Sequence, residues 1–170
     1  MEDPVKQKQV LIKKLRDAKK SHRRWVTKAQ TMIEGVPVQQ DQLPLEHTSC
    51  NFGLWYYGEG QLLSPYSAFR KIEEPHQKLH DLYREIFSLL FSERKPSLFQ
   101  RLLGKKTKRS KEELAQAKQL LAQLNSTSLE ILERIDELEK VIKNLSDADL
   151  ERLFRLFESR KRMGAGQDDA

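Results

Sequence analysis

The chain has 170 residues, 38% apolar and 33% charged, a size and balance that suit one helical domain with a modest core. It contains no run of 18 apolar residues to span a membrane, and its start, "MEDPVKQKQVLIKKLRDAKK", lacks the apolar stretch and small-residue cleavage site of a signal peptide. The net charge of +6 is local: residues 94–111 carry eight lysines and arginines and no acid, so the remainder is close to neutral and the excess marks a loop.

In chain order, residues 5–33 read as a helix. Leu11, Leu15, Ala18, His22, Trp25, Ala29 and Met32 recur at alternating spacings of four and three, an apolar stripe on which His22 lies. Gly35, Pro37 and Pro44 break the pattern, leaving residues 34–45 as a connection. A short helix is predicted over 45–57, closed by the glycines of "YGEG". Ser64-Pro65 reads as a helix start, with one face tracked by Tyr66, Phe69, His76, His80, Tyr83, Phe87 and Leu90 to about residue 92; Pro75 is expected to kink this helix.

Residues 96–111 read as a basic connecting loop. Ser110 and Glu113 form a capping-box pattern before the longest helix, in which Leu114, Ala117, Leu121, Leu124, Ser128, Ile131, Ile135, Leu138, Ile142 and Leu145 alternate by three and four without a slip. Ser146 and Asp149 cap a last amphipathic helix, and "MGAGQDDA", 163–170, reads as a disordered tail. With no strand pattern and no repeat, the predicted fold is an all-α bundle of four main helices plus short ones. Residues 1–95 form its first region and the helices of 112–162 pack on it or extend it.

Cys50 is the chain's single cysteine, so it makes no internal disulfide, and a reducing cytoplasm is the expected compartment. Its thiol has three readings: core filler, nucleophile or metal ligand. His22 lies on a buried stripe, and His76 and His80 are four apart on the buried face of their helix, one turn from each other. A single core histidine is ordinarily a satisfied polar group. Three on faces that meet in a bundle are costly to bury unless each has a partner, and three nitrogens with one thiolate make a tetrahedral set suited to Zn²⁺.

The motifs "H-x-x-W" at 22–25, "C-x-F-G-x-W-x-Y-G-E-G" at 50–60 and "P-H-x-x-x-H" at 75–80 resemble, in order and spacing, the chemoreceptor zinc-binding (CZB) domain family over roughly residues 8–95. The resemblance implies zinc held by His22, Cys50, His76 and His80, with Trp25, Phe52 and Trp55 packed around the ion. It also implies a cytoplasmic bacterial bundle that forms homodimers, is attached to chemoreceptors, diguanylate cyclases and similar signalling proteins, and responds to zinc and, in some members, to oxidants such as hypochlorous acid at the cysteine. His47 falls outside that ligand set. Gly53 is expected to permit a close helix approach.

Other classes fit less well. Hydrolytic zinc sites keep a position for water, and here a fourth ligand is at hand. The H-E-x-x-H pattern is absent from "HQKLH", and no enzyme activity is expected. The segment "KKTKRSK" has no interleaved aromatics and no DNA-reading motif, so a solvated loop is expected rather than a nucleic-acid site. The competing reading is a structural adaptor, in which zinc only holds the fold and the heptads of 114–145 dimerise or dock a partner helix.

Overall fold

In the computed structural model, residues 3–36, 45–91 and 110–165 are described, with side chains to residue 162. The basic loop of 96–109 and most of the terminal tail lie outside them. Among the described residues the fold is an all-α bundle with no strand. Its long helices are α1 (Pro4–Ile33), α4 (Glu73–Phe91), α5 (Lys111–Asn144) and α6 (Asp147–Ala165); between them lie α2 (Asn51–Tyr57), a 3-10 turn (Glu59–Leu63) and α3 (Ser67–Arg70).

The ends of α1 follow from its sequence. Asp3 accepts the Val5 N–H at the start, with Pro4 in the first position, where its missing N–H costs nothing. At the other end Gly35 takes φ +83°, which lets its own N–H reach Met32 O and that of Val36 reach Thr31 O. These two bonds satisfy carbonyls the helix would otherwise leave open. All seven residues of the predicted stripe, Leu11 to Met32, are buried. The capping box at Ser110 and Glu113 is present, and Ser146 Oγ accepts the Asp149 N–H as α6 begins.

α5 is the spine, packing along both α1 and α4. Lys8 reaches Leu145 O near one end of α1 while Lys19 reaches Asp136 and Glu139 further along, so α1 and α5 run antiparallel. Contact with two neighbours explains why α5 buries more than its heptad stripe. Leu120 and Thr127 are buried on one flank of the stripe and Leu132 and Glu139 on the other, while Leu114, Leu121 and Leu145 at the margins are only partly covered.

Three expectations are corrected. The helix predicted over 45–57 starts at Asn51, because Cys50 is extended (φ −71°, ψ 156°) and caps it while residues 47–49 form a turn. The continuous helix from Pro65 to residue 92 is broken: Tyr66, also extended, precedes the single turn of α3, and α4 begins at Glu73. Arg70 secures the bend by donating to Ser64 O and Pro65 O. Pro75 therefore falls in the first turn of α4, where its N–H would have no intrahelical partner, and it introduces no kink. Finally, α6 continues through Ala165, into the stretch expected to be disordered.

Glu139 ties α1 to α5. Its carboxylate, 8% exposed, accepts from Lys143 at 2.8 Å, Lys19 at 3.1 Å and Arg16 at 3.3 Å. Lys143 foremost, then Lys19 and Arg16, hold its carboxyl at about 2, well below the usual 4.5. A depressed acid contributes stability above its unfolded value and loses it as pH falls toward the folded one. Glu139→Gln is expected to cost about 1–2 kcal/mol in urea unfolding at pH 7, the outward exposure of Arg16 and Lys143 keeping the loss modest, and the deficit should shrink between pH 4.5 and 2.

Candidate metal centre

Three segments deliver the side chains. α1 carries His22 on its buried stripe, α4 carries His76 and His80 one turn apart, and Cys50 sits at the N-cap of α2, where its Sγ accepts the Gly53 N–H at 3.1 Å. Gly53 is required there. A Cβ on it would stand 1.9 Å from His47 O, so only glycine lets the 47–49 turn lie against the start of α2. What lies against Gly53 is the turn that bears His47, not another helix.

Cys50, His76 and His80 converge: one donor atom from each lies within 4.8 Å of the others. Cys50 Sγ is 3.4 Å from His76 Nε2, and the His76 and His80 ring centres are 4.8 Å apart. His22 lies beside this trio rather than within it, its ring centre 5.3 Å from that of His76. Two imidazoles on one tetrahedral zinc, each bonded at about 2.0–2.1 Å, hold their centres about 5 Å apart, so both spacings suit ligands of one ion. All four side chains are buried, with His76 at 0%, His80 at 1%, His22 at 3% and Cys50 at 7% exposure.

Of the three aromatic residues named from the sequence, two touch the cluster's imidazoles directly. Trp25 packs on His80 at 4.4 Å and on Tyr83 at 4.9 Å, and Phe52 packs on His76 at 5.0 Å and His22 at 5.7 Å. Trp55 reaches the cluster through Phe52. The residue that sequence reasoning missed is Leu45. Its carbonyl oxygen lies 3.2 Å from His80 Nδ1, and because a carbonyl only accepts, that nitrogen must be the donor. His80 then presents Nε2 as a lone pair, the arrangement that orients a metal-ligating histidine. Arg84 donates to the same carbonyl and pairs with Glu46. A backbone carbonyl leaves no mark in a sequence. His47 is half-buried, its ring 6.1 Å from that of His76 and 6.4 Å from that of His80.

Burial sets the protonation states. It drives His22 to about 4, His76 to about 2 and His80 to about 4; for His22 and His76 neighbouring imidazoles add to the effect, while Leu45 O partly opposes it at His80. Burial pushes the Cys50 thiol up, against the Gly53 N–H. The site is therefore uncharged at neutral pH, rich in lone pairs and poor in partners: Nδ1 of His22 and Nδ1 of His76 are buried with no hydrogen bond. A cation bound where the Cys50 sulfur and His76 Nε2 converge would give those donors a partner and draw the proton from the thiol, and nitrogen with sulfur donors suits zinc. The residues fit such an ion.

The centre is thus that of a helical metal-binding domain. Residues 22–87 match the family model of the chemoreceptor zinc-binding domain. Comparisons with curated proteins and with solved structures gave no match.

Two outcomes follow. Gly53→Ala is expected to destabilise the fold by about 3 kcal/mol, since the obstacle is backbone, and to weaken metal binding together with it; urea unfolding and zinc competition measure the two. The depressed imidazoles favour the folded state only while they stay neutral. Chelator-treated protein should hold its stability above about pH 6.5 and lose it steadily as pH falls toward 4, read from urea midpoints across that range.

Proposed function

We propose that this chain is a zinc-responsive regulatory module of a bacterial cytoplasmic signalling system, in which Cys50, His76, His80 and His22 bind one Zn²⁺. The convergence of the Cys50 sulfur with the His76 and His80 nitrogens carries the reading. The association of the family with chemoreceptors supports a signalling context. Bound zinc holds the Cys50 sulfur as a thiolate. Because His22 comes from α1, Cys50 from the cap of α2, and His76 and His80 from α4, occupancy ties three segments into one unit, and its loss frees them to repack.

The same sulfur is the reactive atom for oxidants. A Cys50 thiolate that takes the oxygen of hypochlorous acid becomes a sulfenic acid and releases chloride, which weakens one ligand. Four protein donors leave no position for a substrate water, so the module is read as non-catalytic. Output passes to a signalling partner, and the working unit is a homodimer. No described helix is long and apolar enough to cross a membrane.

Purified protein is expected to hold one zinc per chain. His22→Ala, Cys50→Ser, His76→Ala and His80→Ala should each weaken binding at least about tenfold, and zinc at about 1,000 times its Kd should add about 4 kcal/mol of stability. A chain that retains no zinc, and whose melting temperature ignores added zinc, would sink the proposal. The adaptor reading is separated by reversibility: a sensor gives zinc up to a chelator while folded, whereas a structural module releases it only on unfolding.

A further inference from the structure

Segment 45–50 is strapped across the metal centre and pinned along its length. Leu45 O accepts from His80 and Arg84, and Glu46 pairs with Arg84. His47 O lies 3.4 Å from Cys50 Sγ and fills the space that a Cβ at position 53 would need. The backbone of His47 is therefore fixed, and so is the origin of its side chain. From there the imidazole stands edge-on to His76 at 6.1 Å and to His80 at 6.4 Å, and on its other flank meets the exposed ring of Tyr57 at 5.8 Å. Tyr57 is itself held by donating to Glu73.

The trio of Cys50, His76 and His80 accordingly has two imidazoles within reach of a fourth position, and they differ in access. His22 is wholly buried against Phe52 and already sits at the spacing of a shared ion. His47 is half-buried, beside the exposed Tyr57, and about 1 Å too wide of His76 and His80 to share an ion with them, a gap within the scale of a side-chain rotation.

We propose that His47 is an exchange ligand: a fifth protein donor that occupies the fourth position from the solvent side while an ion is taken up or given up, with His22 holding that position in the closed site. The inference rests on the metal-centre reading above. An ion crossing from water to a buried four-donor site must shed water and acquire protein donors one at a time. A donor at the rim, three residues from Cys50, shortens the interval in which the ion is under-coordinated.

The test combines affinity and rate on the full chain. His47→Ala and His47→Gln in the native background are expected to leave zinc affinity within about twofold but to slow zinc transfer to a chromophoric chelator about tenfold. In a His22→Ala background, where His47 would be the remaining fourth donor, the same His47 substitutions should weaken affinity about tenfold further. Circular dichroism checks that each variant is folded. Equal effects of the His47 substitutions on affinity in both backgrounds, or an unchanged transfer rate, would overturn the proposal while leaving the metal centre intact. Failure of the unsubstituted chain to bind zinc would overturn both.

Discussion

Three imidazoles and a thiol are buried together in an apolar helical core, and that burial is the constraint the rest of the structure answers to. Each of these groups would be better solvated in water. The protein compensates in part. Leu45 O accepts a hydrogen bond from one imidazole N–H, the Gly53 N–H meets the sulfur, and Trp25 and Phe52 pack against the imidazoles. It leaves Nδ1 of His22 and of His76 without partners. The same desolvation that makes the cluster costly keeps the histidines neutral and thus able to donate lone pairs. The instability of the bare site and its affinity for a cation have one physical origin.

Much of this was legible beforehand because helices report their buried faces through periodicity. The stripe from Leu11 to Met32 is buried at every position, and the interval of four between His76 and His80 put both rings on one face of α4. Where the sequence reading failed, local chemistry overrode the pattern. The run Tyr66–Leu90 keeps helical spacing even though Tyr66 is extended and the chain bends at Lys71–Ile72, since short helices in sequence can share a face without being continuous. Cys50 falls inside the helix predicted over 45–57, yet it caps α2 from outside it. Leu45 acts through its carbonyl, which any residue would supply, and His47 is placed by the absence of a Cβ six residues later.

The helices that carry ligands are held in register by one that carries none. α5 lies outside the stretch of 22–87 that matches the zinc-binding family, yet it packs along both α1 and α4. Its clamp on α1, Glu139 with Arg16 and Lys19, ends less than one turn before His22. A site assembled from α1 and α4 alone would depend on how two amphipathic helices happened to meet. α5, seated against both, gives their separation and register a support besides the ion, while the strap of 45–50 and the start of α2 rest on fewer contacts. Those are the segments through which a change at Cys50 can be felt, because they are joined to the core by a handful of hydrogen bonds and by the tight seat at Gly53 rather than by long helical contacts.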